Sequence, residues 1–89
     1  MAQSLPNVVI KPNQHVDIYA ATGITVGVQI IIQHVGGGDV ELRESATQPD
    51  RAAVGFNLIR KGEDRTNSTG AIGAWAYAAR SAVLHVEVV

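Results

Sequence analysis

The side chains able to do chemistry are few, and their spacing decides what they can do. His15, His34 and His85 are the three histidines. Three imidazoles hold a cation when they converge. None of these stands at the close paired spacing of a helical or finger-type metal motif, and no cysteine or carboxylate cluster accompanies them, so no metal is expected. His85 and Glu87 share one face of an alternating segment, an arrangement that orients an imidazole. The eight carboxylates fall in turns or on outward faces. There a solvated or ion-paired state is expected, not the perturbed acid of general acid–base catalysis. Ser4, Ser45, Ser68 and Ser81 have no Gly-x-Ser-x-Gly context, and Gly36-Gly37-Gly38 lacks the Lys-Ser/Thr of a phosphate loop. No catalytic residue and no cofactor are expected, and the chain is read as a non-enzyme.

Other groups are candidates for binding. Arg60, Lys61 and Arg65 surround one turn and suit an anionic partner, but Glu63 and Asp64 sit among them and balance the charge. Trp75 and Tyr77 have the ring faces that stack on sugars or bases. In a chain that is only 4% aromatic they are expected to serve first as packing anchors. Asn67-Ser68-Thr69 matches a glycosylation acceptor, with no secretion signal to support it.

The elements that must hold these residues read as strands. From Thr25 to Val35 the even positions are Val26, Val28, Ile30, Ile32 and His34, and the odd ones are largely polar. That period of two is a half-buried strand, and Gly27 with dense β-branching argues against a helix. Gly36 to Asp39 reads as a hairpin into a return strand carrying Val40 and Leu42. Val8–Ile10, between Pro6 and Pro12, suits an edge strand. His15–Ala20 places Val16 and Ile18 inward with Asp17 and Tyr19 outward, before a turn at Ala20–Gly23. Phe56 and Leu58 share the inward face of a further strand, and Arg60–Arg65 is a charged turn. Gly73–Ala78 and Ala82–Val89 are the last two strands; the alanines of the former also suit a helix, but the Trp75-Ala-Tyr77 alternation favours a strand. About seven short antiparallel strands with regular turn signals predict an all-β fold, a small β-sandwich or barrel. Residues 1–14 form an N-terminal arm or edge strand, and residues 15–89 one domain.

Composition narrows the partners. The chain has 89 residues, 7 Lys+Arg and 8 Asp+Glu, so its net charge is −1 and no basic surface invites nucleic acid. No apolar run approaches the roughly 20 residues of a membrane helix, and Met1–Leu5 does not resemble a secretion signal. The expected site of synthesis is a cytoplasm. A small domain without cysteine is marginally stable, and association with further copies adds buried aliphatic surface. Ile31, Ile59 and Val83 stand where the alternation calls for polar residues. Either they pack in a second layer or, with Tyr19, they form a subunit interface.

Several phrases carry a resemblance. Asp17-Ile-Tyr19-Ala-Ala-Thr22-Gly23-Ile-Thr-Val26-Gly27 is followed by Gln33-His34-Val35-Gly36 and Val40-Glu41-Leu42-Arg43-Glu44. Gly73-Ala74-Trp75-Ala76-Tyr77 and Leu84-His85-Val86-Glu87 complete the set. Together, over most of residues 15–88, they resemble the small all-β virion proteins of tailed bacteriophages. The resemblance implies a capsid-decorating or head- or tail-associated subunit, located in the virion and made in the host cytoplasm. It implies a homo-oligomer, a trimer on a capsid three-fold axis, with a major capsid or tail protein as partner. Tyr19, Ile31, Ile59 and Val83 are then the candidate interface, and Met1–Pro12 a candidate docking strand. The alternative is a receptor- or glycan-binding tail-tip module using the loops at 45–53 and 63–72.

Overall fold

The computed structural model describes residues 7–50 and 57–89. Phe56, residues 51–53 of the first loop and residues 1–6 of the arm therefore lie outside the described residues. Eight strands and one short helix follow in order: β1 (Val8–Ile10), β2 (Gln14–Asp17), α1 (Ile18–Thr22), β3 (Ile30–Gly37), β4 (Val40–Arg43), β5 (Asn57–Ile59), β6 (Asp64–Thr66), β7 (Trp75–Ala78) and β8 (Ala82–Val88). They form two four-stranded sheets, β1-β8-β3-β6 and β2-β7-β4-β5, and every pairing is antiparallel. This is the small all-β sandwich that the alternation predicts. Among the described residues no helix is long and apolar enough to cross a membrane.

Period two builds the core. The first sheet turns Val8, Ile10, Ile30, Ile32, Leu84 and Val86 inward, and the second turns Val40, Leu42, Ile59, Ala76 and Ala78 against them. The alanines of β7 are small enough for the sheets to close, and their neighbours Trp75 and Tyr77 consequently project from the outer face. β1 is an edge strand, as its flanking prolines suggest, and its Val8 and Ile10 belong to the common core.

Four local expectations are corrected. Residues 18–22 are helical, not the end of a strand. Asp17 Oδ1 accepts from the Ala20 amide at 3.2 Å, and Gly23, at φ 75°, ends the helix by donating to the Tyr19 carbonyl. Local capping outweighs the alternation there. β3 begins at Ile30, because residues 25–28 close a turn in which the Val28 amide donates to the Thr25 carbonyl; Val26 is exposed. β5 has the opposite parity, since the pairing of Ile59 with Val40 drives Ile59 inward and Leu58 outward. The charged stretch at 64–66 is a strand, β6, on the edge of the first sheet.

A buried polar network ties the layers at one end. Asn67 Oδ1 accepts from the Ile30 amide at 2.8 Å, and Asn67 Nδ2 donates to the Tyr19 hydroxyl at 2.8 Å. That hydroxyl donates to the Val28 carbonyl at 2.7 Å. The Asn67 amide donates to the Ile30 carbonyl at 3.1 Å. Asn67→Ala strips the buried Ile30 amide of its partner, so it should lower unfolding free energy by about 2–3 kcal/mol in urea titrations. Tyr19→Phe should cost about 1–2 kcal/mol. A Tyr19→Phe protein as stable as the parent would show that this network contributes nothing.

Candidate functional site

The densest set of chemically capable side chains lies on the outer face of the second sheet. The register aligns Asp17, Trp75 and Arg43 in one row and His15, Tyr77, Glu41 and Leu58 in the next. The cause is the Ala-alternating sequence of β7, which gives its small side chains to the core and its rings to this face. The His15 and Tyr77 rings lie 4.8 Å apart at 47°. Arg43 Nη2 is 3.7 Å from Glu41 Oε1.

Residues 44–50 pass over this face. Trp75 Nε1 donates to the Ser45 carbonyl at 3.1 Å, Arg43 Nη1 donates to the Asp50 carbonyl at 2.8 Å, and Gln48 Nε2 lies 3.4 Å from His15 Nδ1. Tyr77 donates its hydroxyl proton to Asn13 Oδ1 at 2.9 Å. The polar atoms of both aromatic side chains are thus engaged within the chain. The arrangement holds a loop on a sheet, as packing anchors do. Asp17 likewise caps α1, Glu63 Oε1 accepts from the Arg60 amide at 2.7 Å, and Glu44 Oε2 accepts from the Ser68 hydroxyl at 3.0 Å.

The Glu44–Ser68 bond ties the residue just before the 45–53 loop to the 63–72 loop. Between them, at the open side of the sandwich, is a crevice of about 50 Å³ over Ile18, Ile32 and Leu42, rimmed by Arg43, Arg65 and Trp75. That volume admits a few waters, whereas small-molecule sites run to several hundred Å³. A wider depression of about 320 Å³ is bounded by Gly38, Asp39, Ala79 and Arg80, without an aromatic side chain.

The histidines do not converge. His15 is on the outer face of the second sheet, and His85 is on the outer face of the first, where its Nε2 is 2.9 Å from Glu87 Oε1. His34 is buried; its Nε2 donates to the Gly38 carbonyl, and its Nδ1 has no partner among the described residues. Among the described residues no three His, Cys, Asp or Glu side chains group as metal ligands.

The candidate interface divides. Tyr19 and Ile59, at 2% and 1% exposure, are core residues and offer no surface to a partner. Tyr19 lies inward because its segment is helical, and Ile59 because of its pairing with Val40. Ile31 and Val83 remain, half-buried on the outer face of the first sheet. Two neighbours there had no place among the candidates: Val9, opposite Val83 and 58% exposed, and Val35, 49% exposed. The signal for Val9 was available, since inward Val8 and Ile10 force it outward.

The loop contact is testable with the single tryptophan. A Cβ at Gly73 would collide with the Ser45 carbonyl oxygen. Gly73→Ala should therefore lift the 44–50 segment, break the Trp75–Ser45 bond and shift Trp75 emission to the red. An unchanged spectrum would show that the segment does not depend on this close approach.

Comparison with protein-family models, with curated proteins and with solved structures finds no match to this chain.

Proposed function

We propose that this chain is a non-enzymatic structural subunit of a bacteriophage virion, a capsid-decorating or head- or tail-associated protein that stabilises the particle by oligomeric contacts. The observation that carries the reading is an apolar strip on the outer face of the first sheet, where exposed Val9 and Val35 flank half-buried Val83; Ile31 stands apart on the same face, opposite Glu87. Apolar surface gathered on one face of a small sandwich gains by burial against a neighbour. The phage resemblance of the sequence supplies the setting. The mechanism is mechanical: an antiparallel sandwich transmits load along its ladders, and contacts between copies and to a major capsid or tail protein share that load. Polar groups spent on caps, loop anchors and internal hydrogen bonds suit such a subunit.

The alternative, a receptor- or glycan-binding tail module, draws on the loops at 45–53 and 63–72, whose described parts border the crevice beside Arg43 and Arg65. A glycan array separates the two, because selective binding of one glycan class would favour the module.

Electron microscopy and quantitative mass spectrometry of purified particles provide the test. The expected result is this chain in symmetric density on the head or tail, in copy number set by that symmetry. Particles that contain none of it would overturn the proposal.

A further inference from the structure

We propose that β1 is the strand through which two copies of this chain join, pairing antiparallel about a two-fold axis at Val9, so that two four-stranded sheets become one of eight. The inference gives the assembly reading a surface and a register, and it rests on that reading.

Among the described residues the two sheets have four edges, at β1, β6, β2 and β5. Exposed edges are commonly blunted with charge or polar side chains, because their unpaired amides and carbonyls template the addition of another strand. β6 is Asp64-Arg65-Thr66 and β2 is Gln14-His15-Val16-Asp17. β5 carries Asn57 and follows directly on undescribed residues. β1 is Val8-Val9-Ile10, without a polar side chain, and among the described residues no strand pairs with its outer side.

The sequence around β1 suits pairing with itself. With Val9 on the axis, Val8 meets Ile10 of the other copy and Asn7 meets Lys11. Pro12 follows Val9 by three positions, as Pro6 precedes it in the sequence. Proline donates no amide hydrogen, so a ladder centred on Val9 extends no further than Lys11 on that side.

The side chains on the outer face agree with this register. Val9 lies opposite Val83, and Val83 lies opposite Gly36 beside the register shift that exposes Val35. This apolar strip runs to the β1 edge, and the two-fold axis continues it into the strip of the second copy. A polar contact flanks it. Asn7 Oδ1 is 3.0 Å from His85 Nδ1, and His85 Nε2 meets the Glu87 carboxylate. Strand alternation places Lys11 on the face of Val9, so each lysine ammonium arrives beside the acceptor oxygen of Asn7 at the head of the partner's Asn7–His85–Glu87 series. A contact this short binds modestly alone and gains from the high local concentration of a particle surface.

The chain contains no cysteine, so a single introduced thiol gives an unambiguous test. In Val9→Cys the two sulfurs face each other across the axis, at the Cα separation of paired strands that a disulfide accepts. Mild oxidation should yield a covalent dimer of twice 9.4 kDa. Ile72→Cys, 65% exposed on a distant loop, should remain largely monomeric. Val9→Lys places like charges opposite each other and should weaken dimerisation in sedimentation by roughly tenfold, with an unchanged thermal melt. The proposal falls if Val9→Cys links no faster than Ile72→Cys, or if Val9→Lys associates as the parent does. Rapid linkage of Val9→Cys by a chain that is absent from particles would retain the contact and remove the virion reading. A particle-bound trimer in which Val9→Cys forms no disulfide would do the reverse.

Discussion

The fold turns on one asparagine acting as a length of strand. Asn67 lies just past the end of β6, where the ladder would otherwise stop. Its backbone and side chain together engage both the amide and the carbonyl of Ile30. Its side-chain amide group reaches the Tyr19 hydroxyl, which in turn holds the Val28 carbonyl. One buried residue therefore fixes the start of β3, the position of α1 and the turn between them. In a low-dielectric interior such a network tolerates no missing member, because each unpaired group bears its full desolvation cost. This is why Tyr19, with its amphipathic ring, belongs to the inside of the molecule.

Residues with strong local alternation and close partners were legible in the sequence. Ile30, Ile32, Val40, Leu42, Leu84 and Val86 all face the core as period two requires. What escaped that reading depended on information outside the window. The parity of β5 is set by Val40, nineteen positions before Ile59 (59 − 40 = 19), and a strand of three residues cannot declare its own register. At Asp17–Gly23 two local rules conflict, and the cap at each end outweighed a faint alternation. The charges of β6 look like turn chemistry, but they suit an edge strand equally well. Of the four interface candidates, the two displaced, Tyr19 and Ile59, lie in these misread segments. Ile31 and Val83 lie in strands whose parity was read correctly.

The placement of the rings also follows from packing. A thin interior of aliphatic side chains leaves little space between sheets, and β7 fills its share with alanine. Trp75 and Tyr77 then need cover of their own, which the 44–50 segment supplies from outside. The outer face of the second sheet is thus partly covered, whereas that of the first keeps Val9 and Val35 exposed.

The pairing of β1 with β8 sets the order in which the molecule can be made. Val8 waits for Leu84, and β2 waits for β7, so neither sheet closes until the distal strands have left the ribosome. Contacts so far apart in sequence carry a large loop-closure cost and make folding slow. The β1 edge accordingly acquires its place only once β8 is available to pair with it.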